Sequence, residues 1–361
     1  MKKIGVIDIG TNSMRMLVSQ IKNGKALDSY KTLQITRLGE GITRGIIIPQ
    51  TLENNLYHLG QFKEQAIKDG VEDILVFGTS ALRDAKNSED FIKRAKDELG
   101  LFIKVLSGEE EGIFGFIGAT HGLSKEATII DIGGGSTEFI VGNKEGKIPY
   151  SLSLDMGALR FAEAYVHNDP ITREEVYRIE KRVTSIIKDV PLQFYPNKKK
   201  NIIGIGGTIT SLAAIKQNLE VYDTNKVHHS IIFRGDLDIF LKKISPLTLK
   251  ERKRIQGLHQ GRANIIIPGT IILKEIMNYF RVEKLTVSDR DNLEGMLYYY
   301  LSKKNFKKAY KNIDEEEGIG YNRFCLTKCL KAGVAEQADA QDLKSCDFSK
   351  SYRFDSGPRH H

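Results

Sequence analysis

The chain has 361 residues, 40% of them hydrophobic and 28% charged, which suits a globular protein with room for two domains. Its 54 basic and 46 acidic residues leave a net charge of +8, which favours a polyanionic partner as well as solubility. No apolar run approaches the ~20 residues that span a bilayer. Zinc-finger spacings, basic heptad helices and aromatic-basic RNA motifs are absent, so neither a membrane nor a nucleic acid is expected as partner. The run after Met1-Lys2-Lys3 is only Ile4 to Ile9 and contains Asp8, so it reads as a strand, not a signal peptide, and points to a cytoplasmic location. Cys325, Cys329 and Cys346 all lie near the C-terminus, which leaves the body of the chain without a disulfide or a thiol nucleophile.

In chain order, Lys3–Gly10, Ser13–Lys22 and Leu27–Leu38 read as a β-meander, with Asn23-Gly24 as the turn between the second and third strands. Pro49 opens a helix to about Lys68 that carries Leu52, Leu56, Leu59, Phe62, Ala66 and Ile67 on one face. A buried strand over Asp73–Gly78 runs into Thr79-Ser80-Ala81-Leu82-Arg83-Asp84-Ala85. A helix follows over Ser88–Leu99 with Ser88 as N-cap, then a strand over Phe102–Leu106. Ser107 and Glu110 fit a capping box for a helix to about Thr120, and Glu109 suits the positive end of its dipole. Glu111 has no such structural duty, although a charged first turn is by default solvated. Gly115 and Gly118, four and seven residues on, leave a stripe where another element or a ligand can approach Glu111 closely.

The second half repeats the plan, with strands from Ala127 to about Leu154 and a helix from Thr172 to about Val190. The strand Asn201–Gly204 feeds Gly204-Ile205-Gly206-Gly207-Thr208-Ile209-Thr210-Ser211, which opens a helix. Gly206-Gly207-Thr208 reads either as an anion or nucleotide site or as a packing pair of glycines. Helices at about Arg234–Ile244, Asn264–Phe280 and Leu293–Ser302 and a strand over Leu285–Ser288 complete the body. Residues 312–361 read as a disordered tail. Within it, Ala332 to Cys346 resembles the conceptual translation of a leucine transfer-RNA gene, as if the tail were read-through without a function.

The chemistry gathers at Asp131-Ile132-Gly133-Gly134-Gly135-Ser136-Thr137-Glu138. A strand, a glycine loop and a second strand let backbone N–H groups converge on an anion. Asp131 and Glu138 place two carboxylates beside it, suited to a divalent cation shared with phosphate oxygens. Val6 to Val18 matches Ile129 to Val141 without a gap: Asp8, Ile9, Gly10 and Ser13 recur as Asp131, Ile132, Gly133 and Ser136. Thr11 and Asn12 complete the first loop. Arg15 stands where the second copy has Glu138, which fits metal on one side and bare phosphate on the other. The expectation is an α/β fold of two related domains, residues 1–124 and 125–311, facing each other across a phosphate-binding cleft.

These pieces resemble the exopolyphosphatase / guanosine pentaphosphate phosphohydrolase family, a branch of the sugar kinase, actin and heat-shock chaperone ATPase superfamily. The resemblance rests on Asp8–Ser13 with Arg15, Gly78–Ala85, Ser107–Glu111, Asp131–Glu138 and Gly204–Thr208, all in family order over roughly residues 1–300. Gly261–Asn264 and Val287–Asp289 are weaker matches. It implies two actin-like, ribonuclease H-like domains with mixed five-stranded sheets and a homodimer. It also implies Mg²⁺ or Mn²⁺ held by Asp131 and Glu138, and phosphate loops at Gly10–Ser13 and Gly133–Ser136. By the same resemblance Arg83, with Ser80 in its motif, grips the phosphate chain, and Glu111 activates the attacking water.

The substrate so implied is inorganic polyphosphate or, alternatively, guanosine pentaphosphate, which would tie the protein to the stringent response. The family's Gly-Leu-Arg-Glu-Gly is here Asp291-Asn292-Leu293-Glu294-Gly295, without the arginine, and Arg160 and Arg262 read equally as ligand-binding or structural. A kinase or ATPase of the same fold, or a protein that binds without turnover, is disfavoured by Glu111.

Overall fold

A computed structural model of the chain describes residues 1–121, 127–142, 150–195, 201–306 and 322–323. Met1–Asn322 forms one compact unit. Apart from Asn322 and Arg323, the expected tail lies outside the described residues, as do the three cysteines.

The meander is present as β1 (Lys2–Ile9), β2 (Met14–Lys22) and β3 (Lys25–Gln34). Asn23 and Gly24 turn between the last two at φ of 51° and 72°, which a two-residue hairpin with the strands' natural twist requires. Helix α1 (Pro49–Lys68) buries Leu52, Leu56, Leu59, Phe62 and Ala66 of its expected face. Then come β4 (Asp73–Gly78), the short α2 (Ser80–Asp84), α3 (Ser88–Leu99), β5 (Ile103–Val105) and α4 (Gly108–Thr120). The cap of α3 is Asn87, not Ser88. The Asn87 amide is spent on the Ile47 backbone instead, its oxygen accepting from N–H at 2.8 Å and its nitrogen donating to C=O at 3.0 Å. These strands are ordered β5-β4-β1-β2-β3, antiparallel within the meander and parallel from β1 to β4 and β5.

The second half contains β6 (Ala127–Ile132), β7 (Thr137–Val141), β8 (Tyr150–Leu154), α5 (Ala158–Tyr165), α6 (Arg173–Ile187), β9 (Asn201–Ile205) and α7 (Gly207–Lys216). It continues with α8 (Thr224–Val227), β10 (Ile231–Phe233), α9 (Arg234–Ile244), α10 (Leu249–Arg252), α11 (Ile266–Tyr279), β11 (Lys284–Val287) and α12 (Asn292–Phe306). Its sheet is β10-β11-β9-β6-β7-β8. The run β11-β9-β6-β7-β8 repeats β5-β4-β1-β2-β3 strand for strand. This sheet has six strands where five were expected, because the three-residue β10 adds an antiparallel edge to β11.

Ten of the thirteen residues of α4 are buried, as befits a helix with a core on more than one side. Ile113, Phe114 and Ile117 pack with Ile4, Val6, Leu17 and Phe77 of the first sheet, while Phe116 and Ala119 pack with Ile129, Ile140 and Ile205 of the second. Helix α12 returns to the first sheet, where Leu293, Met296 and Leu297 join the same cluster. The glycine stripe explains how these elements come so close. A Cβ on Gly118 would collide with the Asp291 carbonyl, and one on Gly295 with the Phe114 carbonyl. Among the described residues no helix is long and apolar enough to cross a membrane.

Thr172 caps α6 through a capping box with Glu175. The buried Glu175 carboxylate accepts from the His167, Asn168 and Thr172 backbone amides at 2.7, 3.0 and 2.8 Å, and from the Asn168 and Thr172 side chains. Burial works to raise its pKa, but these donors favour the charged form and bring it down to about 2. A depressed carboxylate stabilises the fold above its unfolded pKa and loses that contribution as pH falls through the folded value. Glu175→Gln should therefore cost about 2 kcal/mol at pH 7. In denaturant unfolding that cost should shrink steadily between the ordinary 4.5 and about 2.

Candidate active site

The two glycine loops close with the same turn: Gly10 donates to the Ser13 carbonyl at 3.1 Å, and Gly133 to the Ser136 carbonyl at 3.0 Å. Amides at the start of α5 take the carbonyls of Gly133 and Gly134 (Ala158 at 3.0 Å, Leu159 at 2.8 Å), which fixes the second loop on a helix N-terminus. The loops meet face to face. A Cβ on Gly134 would lie 3.0 Å from the Thr11 side chain and 3.3 Å from that of Asn12, and one on Gly135 would run into the Ser80 hydroxyl and lie 2.9 Å from that of Thr11. Arg160 spans this contact, donating to the Gly135 carbonyl at 2.7 Å and pairing with Asp84.

Strand alternation brings the charges together. Residues two apart share a face, so Asp8 follows Ile4 and Val6, and Asp131 follows Ile129, onto the faces that α4 covers. Arg15 and Glu138 are their direct cross-strand partners, Asp8 with Arg15 and Asp131 with Glu138, in equivalent places of the two sheets. Both aspartates thus meet the helix that carries Glu111. One cavity is lined by Asp8, the loop 10–13, Arg15, Ser80, Glu111, Asp131, the loop 133–136 and the turn 206–208. Glu138 and Arg83 are not among the residues that line it. Arg83 donates to Glu111 Oε2 at 2.9 Å and to the Leu106 carbonyl at 3.0 Å.

The electrostatics follow from burial. Glu111 is 7% exposed, and burial, then the charge of Glu138, push its carboxyl up while Arg83 pulls it down. Burial also raises Asp131, with Asp291 and Glu111 adding to it, and raises Glu138, with Asp131 adding to it. On the other wall Arg15 pairs with both Asp8 and Asp291. Burial works to raise Asp291 too, but Arg15 and Lys31 prevail and keep it below its ordinary range. Lys31 also ties Glu294 at 2.8 Å.

The donor set suits a hard divalent cation. Asp8 Oδ1 and Glu138 Oε2 are buried without a hydrogen-bond partner among the described residues, and Asp131 lines the cavity beside them. Among the described residues no group of three or more His, Cys, Asp or Glu is poised to hold a metal ion by itself; Mg²⁺ would need only one or two carboxylates, with water and substrate phosphate completing its shell.

Gly206, at φ 89°, brings its backbone against Asp131 Oδ1, and a Cβ on Gly207 would lie 2.8 Å from the Arg262 guanidinium. Arg262 donates to the Gly207 carbonyl at 2.9 Å and to the Ser211 hydroxyl at 3.0 Å, and it lines the cavity. Both glycines therefore have packing reasons and also border the cleft. Sequence reasoning missed Ser153, whereas Asn292, which lines the cavity, stands in the same motif as Asp291. Asp291 had one signal, standing in a motif that departs from the expected pattern.

A profile of the Ppx/GppA phosphatase family matches residues 17–304. The chain belongs to this family. Exopolyphosphatase 2 of Mycobacterium tuberculosis is 30% identical over 315 residues, covering 81% of this chain and 97% of that one. The bifunctional 3-dehydroquinate synthase/phosphatase of Fusobacterium nucleatum is 33% identical over 311 residues, 81% of this chain but 45% of its own length, so this Ppx/GppA chain spans less than half of that relative. The Aquifex aeolicus Ppx/GppA family member superposes with a TM-score of 0.70 at 31% identity, covering 84% and 99% of the two chains. An exopolyphosphatase from Cytophaga hutchinsonii gives 0.74 at 28%, covering 84% and 98%. The α/β fold expected, two mixed sheets flanked by helices, is the fold this chain shares with these family structures.

Loop contact generates a test. Gly135→Ala should hold the loops apart at Thr11 and Ser80, lowering kcat/KM about 100-fold, the scale of a ~1 Å misplacement. Unfolding should stay near wild type, so phosphate-release kinetics beside a thermal melt check the expectation.

Proposed function

We propose that this phosphoanhydride hydrolase removes the terminal phosphate of linear inorganic polyphosphate, using Mg²⁺ and a water activated by Glu111. The observation that carries the reading is Glu111 itself: a buried carboxylate in the wall between two glycine loops, on the helix both sheets share, oriented by Arg83. The exopolyphosphatases among the relatives support the choice of substrate.

In this reading the loops 10–13 and 133–136 orient the terminal phosphate, with positioning and charge neutralisation as the main catalytic terms. Asp131 and Glu138 would hold the cation, which when bound neutralises charge on the phosphate oxygens. The water oxygen attacks the terminal phosphorus, the bridging P–O bond breaks, and the shortened chain leaves with the bridging oxygen. Glu111 takes the proton from the water. Its ionised form is needed: burial and the charge of Glu138 hold the carboxyl above its ordinary range, Arg83 pulls it back in part, and a bound cation would pull it back further.

Phosphate release should be measured from polyphosphate of defined length, guanosine pentaphosphate and ATP, each with and without Mg²⁺. Polyphosphate with Mg²⁺ should be turned over fastest; preference for ATP would sink the proposal, and preference for guanosine pentaphosphate would reassign the substrate. Glu111→Gln should bind polyphosphate as wild type does but lose about 10²- to 10⁴-fold in kcat, the range of a general base. Full activity in that variant would remove Glu111 from the mechanism.

A further inference from the structure

Glu138 is 1% exposed, and a carboxylate so buried needs something to fix which oxygen faces the cation. Its direct cross-strand partner on β8 is Ser153. The Ser153 hydroxyl donates to Glu138 Oε1 at 2.7 Å, while Oε2 is buried without a partner among the described residues. Ser153 is itself confined from the far side by the first turn of α4. A Cβ on Gly108 would lie 2.5 Å from Ser153 Cβ and 3.1 Å from its hydroxyl oxygen. That glycine gives the serine room, and the contact holds the hydroxyl beside Glu138.

We propose that Ser153 is a positioning residue for cation binding, tying one oxygen of Glu138 so that the other is presented to the metal. The inference rests on the reading of Asp131 and Glu138 as cation ligands. Ser153 is not among the residues that line the cavity; its hydroxyl acts through Glu138. Hydrogen-bond partners of metal-ligating carboxylates typically contribute 10- to 100-fold to metal affinity or activity. Alanine keeps the Cβ that packs on Gly108, so Ser153→Ala removes the hydrogen bond and little else.

The test titrates Mn²⁺ into wild type, Ser153→Ala, Glu138→Gln and the double variant, with orthophosphate present, following free Mn²⁺ by electron paramagnetic resonance. Ser153→Ala should raise the Mn²⁺ dissociation constant about 10- to 100-fold and leave the thermal midpoint of the metal-free protein in place. In Glu138→Gln the same change should have no further effect, the coupling expected of residues that act as one unit. In assays, the Mg²⁺ concentration for half-maximal rate should rise while kcat at saturating Mg²⁺ holds. An unchanged dissociation constant, or an equal loss in the Glu138→Gln background, overturns the role of Ser153 alone. A wild type that binds no Mn²⁺ overturns the cation reading and this one together.

Discussion

A carboxylate removed from water must be protonated, paired or given a cation, and five of them surround one cleft here. Asp8, Glu111, Asp131, Glu138 and Asp291 are all less than a tenth exposed. Arg15 serves Asp8 and Asp291, and Arg83 serves Glu111. Asp131 and Glu138 have no ion-pair partner among the described residues. The uneven provision divides the site into a wall already neutralised and a wall that has charge to share with a ligand. Phosphoryl chemistry needs that division, because a polyanion enters such a site readily only when positive charge comes with it.

The duplicated topology creates the division economically. Both sheets offer the same place, the residue paired with the aspartate across the hairpin. One fills it with Arg15 and the other with Glu138. A single exchange of sign at equivalent register positions makes the two walls chemically different while the backbone stays the same.

Much of this was legible in the sequence because it is local. The meander, the Asn23-Gly24 turn, both hairpin loops and the Ser107–Glu110 capping box depend on neighbours within about ten residues. What escaped notice depends on residues far apart. The pairing of Arg15 with Asp291 joins positions 276 apart, and nothing in either segment names the other. The burial of α4 on both sides leaves no apolar stripe to read, since a helix apolar all round has no single face. The contact of Ser153 with Glu138 follows from the register of β7 and β8, which neither strand's own residues print. The glycines at 115 and 118 did signal a close approach; its partner is the start of α12.

That approach has a mechanical meaning. Where Gly118 meets Asp291 and Gly295 meets Phe114, main chain lies against main chain, with no side chain between to swing aside and absorb a shift. The helix bearing Glu111 and the turn bearing Asp291 are geared together. Since Asp291 is held by Arg15 on β2, a ligand that disturbed that pair would pass the shift on to the helix that carries Glu111. Occupancy of the cleft and the placement of Glu111 are then mechanically linked.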